Sequence, residues 1–320
     1  MNDSNMKKKE TGLDDISMFS IFLLIPTIML IAGYFIFPCN STPADQPIIF
    51  IPLFSGLILL GIGFLYKIKR VGSKFKICGW LLFSFFWSLL PCYLYSSEDG
   101  DVFNAVVCII GVYILIYMAY QEWLSIKNEK YLSCLNWISG GAFIAGIIYF
   151  TIDGGLFPNL KKGLIETVAS HSNTLLNILG IDSLREGSSI VYNNIPITII
   201  FACTAIQAMV LFIGMIGALN NVNFKRKLLA ISVTVIPMYF LNLVRNASVI
   251  YLVGGGITSF NIAHNILSKA GALITLIALL FLTFKIVPEL YDELMCIFDL
   301  PKRDGPIEKF FTKILGKSKK

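Results

Sequence analysis

The sequence predicts an all-α fold: a polytopic integral membrane bundle of about eight transmembrane helices. Three observations carry that prediction. Hydrophobic residues make up 56% of the 320 positions and charged residues only 14%, against about 25% charged in soluble domains. Mean hydropathy is +0.73. Acidic residues are missing between Asp15 and Asp45, between Asp45 and Glu98, and between Glu186 and Glu289. This composition excludes a soluble enzyme, a nucleic-acid-binding module and a disordered tail. The question becomes what the few polar intramembrane residues do.

A bilayer core of about 30 Å requires about 20 apolar residues in a helix. Eight stretches meet that length, near 18–37, 48–66, 77–95, 102–120, 131–150, 196–219, 228–253 and 266–288. Spanning strands would alternate in polarity and be only about 9–11 residues long, so backbone satisfaction in lipid calls for helices. Lys7, Lys8 and Lys9 precede the first stretch as in a signal peptide. Its apolar run is too long for an h-region and no A-x-A site follows, so it reads as an uncleaved span. No internal repeat or low-complexity stretch is visible. The chain reads as one membrane domain over 1–320, with five spans over 18–150, an outer segment over 151–195, three spans over 196–290 and a tail over 299–320.

Orientation follows from the basic residues. The N-terminus, segments 67–76, 121–130 and 220–227, and the tail after Asp299 hold 20 of the 26 Lys and Arg residues. The alternate connections, 38–47, 96–101, 151–195 and 254–263, hold only Lys161, Lys162 and Arg185. An eight-span arrangement puts every basic segment on one side, with both termini cytoplasmic. Topology, not nucleic acid, thus accounts for the net charge of +6.

Within 151–195, Leu164, Val168, His171, Leu175 and Ile178 recur at helical spacing, which predicts a helix at the outer interface. In the tail, Ile307, Phe310, Phe311, Ile314 and Leu315 share one face, with Lys309, Lys313 and Lys317 elsewhere. That pattern predicts a basic amphipathic helix on the cytoplasmic side.

The last three spans carry the chemistry. The sixth contains Cys203 in IIFACTAIQAM, the seventh Arg245 in YFLNLVRNASVIY, and the eighth is entered through His264 and Lys269 in FNIAHNILSKAG. Counted along ideal helices, Cys203 falls about 10 Å and Arg245 about 12 Å below the outer surface. His264 falls at or just below that surface. The spans as delimited hold no Asp or Glu, so Arg245 has no carboxylate partner. A buried Arg costs at least about 2.5–3.5 kcal/mol. Its possible partners are carbonyls, Asn242, Asn246, headgroups, a substrate carboxylate or a thiolate. It could support a thiolate or a developing oxyanion, or simply snorkel to phosphates.

Cys203 alone says little, because cysteine is a common small buried residue and Cys39, Cys78, Cys92, Cys108, Cys134 and Cys296 are also present. No C-x-x-C or Cys/His cluster is present, so neither a metal nor a cofactor is expected. Cys39 and Cys92 lie at the outer ends of spans, where they could pair. His264 and His171 are the two histidines, and either could act as a base for Cys203. H-E-x-x-H and G-x-S-x-G motifs are absent, as are paired intramembrane aspartates.

The segments around Cys203, Arg245 and His264 resemble the three signature segments of the exosortase/archaeosortase family. The lead-in LLNILGIDSLREGSSIVYNNIPITIIFACTAI is also similar to the family's pattern. The resemblance covers roughly 170–290, and FKIVPELYDEL is most similar to the archaeosortase A branch. It implies Cys203 as nucleophile, Arg245 as the arginine of the site and His264 as the third residue, where some archaeosortases place Arg at the His264–Asn265 pair. Ala205 stands where Gly is common in the family.

The activity so implied is that of a membrane-embedded, sortase-like cysteine transpeptidase or protease in the cell membrane, with its site on the extracytoplasmic side. Its protein substrates would be exported surface proteins with a C-terminal sorting signal: a short motif, a transmembrane span and a basic tail. A membrane lipid would accept the new C-terminus. One alternative is a transporter or lipid-handling protein that binds an anionic substrate through Arg245 and Lys269. Another is a scaffold without chemistry.

Overall fold

The computed structural model describes residues 3–39, 46–96, 101–154 and 156–314, with side chains from residue 17 onward except those of Asn265 and Ile314. The chain is a helical, polytopic membrane protein with one small sheet. Among the described residues seven helices are long and apolar enough to cross a membrane: Ser17–Ile36, Pro47–Leu65, Lys69–Ser96, Val102–Lys127, Ser133–Asp153, Phe224–Gly254 and Ile262–Ile286. They correspond to seven of the eight stretches expected from hydropathy.

The sixth stretch differs. Residues 195–204 form a strand and a 3₁₀ turn, and helix begins only at Ile206. Pro196 supplies no amide and the surrounding Ile and Thr residues favour extended backbone, so the apolar run is not one helix. The depth of Cys203 therefore cannot be counted along a helix axis.

The chain divides into two compact units, residues 1–140 with 293–320, and residues 141–292. The first contains α1 (Asp3–Ile36), α2 (Phe50–Leu65), α3 (Lys69–Leu89), α4 (Pro91–Ser96) and α5 (Val102–Lys127). The start of α6 (Ser133–Asp153) also belongs to it. Helices α2 and α3 approach closely: a Cβ added at Gly63 would come within 2.7 Å of the Gly72 carbonyl oxygen. Small residues permit that contact in apolar surroundings.

The expectation that no span carries a carboxylate is corrected here. Helix α5 continues past Tyr120 to Lys127 and buries Glu122, whose carboxylate meets Lys76 Nζ of α3 at 2.8 Å. Both side chains are almost fully enclosed. Each charge compensates the other where neither could stand alone.

The predicted Cys39–Cys92 pair is a disulfide, and a second one, Cys134–Cys296, was not anticipated. The tail forms α12 (Pro306–Ile314), while Leu315 and Lys317 lie outside the described residues. Its apolar face packs on protein, with Ile307 buried and Phe310 stacked on Phe19 at 4.2 Å. The buried Glu308 carboxylate accepts hydrogen bonds from Tyr117 (2.7 Å), Tyr120 (2.9 Å) and Gln121 (2.5 Å).

The second unit contains the rest of α6, then α7 (Pro158–Ile178), β1 (Leu184–Glu186), β2 (Ser189–Tyr192) and β3 (Ile195–Thr198). After them come α8 (Ile206–Gly217), α9 (Phe224–Gly254), α10 (Ser268–Ile286) and the start of α11 (Glu289–Phe298). The strands form an antiparallel meander in the order β1-β2-β3, with Ile190 opposite Ile197. A helix, α7, forms where the periodicity predicts one, but its buried stripe is Val168, Ala169, Ser172 and Leu176. His171 and Ile178 of the predicted face are exposed.

Candidate active site

Every predicted site residue lies in the second unit. Its sheet sets the position of Cys203. Asn193 and Asn194 take φ of 51° and 63°, the pair of left-handed conformations that a tight β2–β3 hairpin requires. Asn193 Nδ2 donates to the Gly254 carbonyl at 3.1 Å, which ties the hairpin to the end of α9. A Cβ at Gly254 would meet the Tyr192 ring at 2.5 Å, so only glycine admits that contact. Strand β3 ends with Ile199 N–H donating to Ser188 O at 2.9 Å. The chain then enters the 3₁₀ turn Phe201–Thr204.

Cys203 is buried on that turn. Its N–H donates to Ile200 O at 2.8 Å. Thr204 Oγ1 closes the turn by donating to Phe201 O at 2.6 Å and accepts from Ile206 N–H at 3.4 Å. Ala205 follows at φ +59° and releases the chain into α8. This left-handed conformation suits Gly, the residue common at this position in the resembling family.

The thiol lies in an apolar cluster built by Val168 and Ala169 of α7, Ile190, Ile197 and Ile199 of the sheet region, and Leu243 and Ala247 of α9. It is in no disulfide. The main chain of the same residue is held by polar groups. Asn242 Nδ2 and Asn246 Nδ2, one helical turn apart on α9, donate to the Cys203 carbonyl at 2.8 and 3.1 Å. The structure therefore brings Cys203 and the Arg245 turn together laterally, which depth alone left open.

Arg245 is partly buried between these two asparagines. Its Nε donates to Ser268 Oγ and its Nη1 to Asn242 Oδ1 at 3.4 Å. A chain of contacts thus runs from Ser268 through Arg245 and Asn242 to Cys203. Sequence reasoning included Asn242 among possible partners of Arg245 but missed Ser268. It also missed the hold of both asparagines on Cys203. The one sequence signal was the i, i+4 spacing of Asn242 and Asn246, which puts both on one helix face.

His264 sits in a π-helical turn, Ile262–Leu267, that leads into α10. Such turns recur at functional sites. Its ring is half-buried and stacks on Phe260 at 5.1 Å. Arg245 and Lys269 are close enough to act on it electrostatically. Among the described residues it makes no hydrogen bond to Cys203. His171 points elsewhere: its Nδ1 and the Tyr239 hydroxyl are 2.6 Å apart. Lys269 follows Ser268 directly and is exposed.

A groove of about 580 Å³ opens between Lys161, Lys162, Ile165 and Glu166 of α7 and the run from Thr198 to Ala202, the residue before Cys203. Lys161 Nζ bonds the Asp153 carboxylate at 2.8 Å and sits 5.2 Å from the centre of the Phe201 ring.

The arrangement is a buried thiol on a main chain fixed at both ends, with a guanidinium three residues after one clamping asparagine and one residue before the other. Comparison with known proteins matches residues 16–284 to the family described as Transmembrane exosortase (Exosortase_EpsH). Archaeosortase A of Haloferax volcanii is 25% identical over 260 residues, covering 69% of this chain and 83% of that protein. Archaeosortase A of Natronomonas pharaonis is 27% identical over 270 residues, covering 73% and 82%. No solved structure matches the chain.

Proposed function

Given that the chain belongs to the transmembrane exosortase family, we propose that it is a membrane-embedded cysteine transpeptidase that cleaves the C-terminal sorting signal of exported proteins and passes the new C-terminus to a lipid. The observation that carries this reading is the pair of hydrogen bonds from Asn242 and Asn246 to the Cys203 carbonyl. They set a nucleophilic residue type beside Arg245, in segments that this reading assigns to the extracytoplasmic side of the plasma membrane.

In this mechanism the Cys203 thiol gives its proton to His264, and the thiolate sulfur attacks the scissile carbonyl carbon. The carbonyl oxygen becomes an oxyanion, and Arg245, oriented by Ser268, stabilises that charge. The intermediate collapses, the C–N bond breaks, and His264 returns the proton to the leaving amine. The span and basic tail depart, and the remainder of the substrate is a thioester on Cys203. An amine of the acceptor lipid then attacks the thioester carbon, loses its proton to His264, and releases the product and the thiol. The groove that ends at Ala202 is where this reading places an extended substrate segment, next to the turn that carries Cys203.

The test is Cys203→Ala in cells that export a reporter with a C-terminal motif, span and basic cluster. The reading predicts an uncleaved, membrane-retained reporter. Normal processing by an accumulated Cys203→Ala protein would sink it.

A further inference from the structure

The carbonyl of Cys203 is unusual in what it bonds. The residue sits on a four-residue 3₁₀ turn between a strand and a helix. Ala205, with φ +59°, turns the backbone away before α8 begins, so that carbonyl enters neither the β3 ladder nor the α8 ladder. Its donors come instead from 39 and 43 residues further along the chain, both as side-chain amides of α9.

A carbonyl oxygen has two lone pairs, and here it accepts from two donors. Two bonds restrain the oxygen more than a single bond, about which it could swing. Both asparagines are buried, so water cannot replace either one. Their roles also differ. Among the described residues Asn246 is hydrogen-bonded to Cys203, while Asn242 donates to Cys203 and accepts from Arg245 Nη1. Asn242 thus bridges Cys203 and Arg245.

We propose that Asn242 and Asn246 are positioning residues that clamp the Cys203 main chain and so hold the thiol in register with Arg245. Asn242 adds a second constraint by fixing the distance between the two. The link to reaction rate rests on the reading of Cys203 as nucleophile. The clamp itself is a property of the resting protein and can be measured there.

The experiment uses the full-length chain in membranes, with Cys78→Ser and Cys108→Ser so that Cys203 is the remaining free thiol. Two quantities are read: the rate of Cys203 alkylation by iodoacetamide across pH, and the rate of reporter processing. With Asn242→Ala and Asn246→Ala combined, processing falls about 100-fold, the usual effect of a displacement near 1 Å. The KM for the reporter does not change, and the pH profile of alkylation shifts. Each single variant keeps one donor on the carbonyl and loses less than its share, so the effects do not multiply. Asn242→Leu removes both contacts of that side chain and Asn246→Leu removes the hold on Cys203, so their difference separates the two roles, and these near-isosteric variants supply the comparison if the double variant does not accumulate. Accumulated variants that alkylate at the starting rate and pH profile would overturn the clamp. If Cys203→Ala itself processes the reporter, the sortase reading fails, but the alkylation comparison still decides whether the clamp exists.

Discussion

Arg245 and Ser268, 23 residues apart on neighbouring helices, are joined by a hydrogen bond from Nε to Oγ. The bond uses the inner edge of the guanidinium and leaves its terminal nitrogens for other work. Nη1 reaches Asn242. A charged side chain inside a span-length helix is therefore oriented by neutral groups, and among the described residues no carboxylate forms an ion pair with it. This suits a cation whose charge is needed by a transient anion.

That relationship predicts the behaviour of Ser268. Removing a buried partner of a charged group costs about 1.5–3 kcal/mol. Ser268→Ala should lower reporter processing by about 10-fold to 100-fold while the protein accumulates normally. Ser268→Thr, which keeps the hydroxyl, should restore most of the rate. Equal rates for Ser268→Ala and the parent protein would show that the bond does not orient Arg245.

Ala205 gives a prediction of opposite sign. A side chain at φ +59° is strained, by about 1–2 kcal/mol for a residue other than Gly. Ala205→Gly should raise the thermal midpoint of the purified protein, although glycine substitution usually lowers it. A lowered midpoint would mean that the left-handed turn is not what fixes this position.

The buried pair Lys76 and Glu122 should show strong coupling. Leaving one buried charge unpaired costs about 3–5 kcal/mol, and replacing both by apolar groups is often neutral. Lys76→Met should therefore unfold at lower denaturant, and Lys76→Met with Glu122→Leu should recover most of the loss. Additive destabilisation in a double-mutant cycle would contradict the pairing.

The helical bundle was legible because apolar runs of membrane length leave the backbone little choice but helix. The sixth stretch misled for the same reason: its hydropathy matches its neighbours, and Pro196 with the β-branched residues around it was outweighed. The hairpin had its own signals in Gly187 and in Asn193–Asn194, small or turn-forming residues between alternating positions. Lys76 and Glu122 escaped notice because each stands at the end of an apolar run, where a loop is the simpler assignment. Arg245 stood out as a charge inside a span, and Cys203 and His264 through their comparable depth and the resemblance of the segments that hold them. The two asparagines did not, since what they bind is a backbone oxygen, and side-chain chemistry gives no hint of that target. For His264 and Cys203 the structure places both in one unit without a hydrogen bond between them among the described residues.

The central claim is that Cys203 carries the substrate as a thioester, and it can be tested by trapping that species. Membranes containing the chain are incubated with an exported reporter, quenched in acid and digested, and the peptide bearing Cys203 is followed by mass spectrometry with and without hydroxylamine. The account predicts a reporter fragment on Cys203 that hydroxylamine releases and that is absent from Cys203→Ala. Continued cleavage of the reporter with no adduct on Cys203 would contradict it.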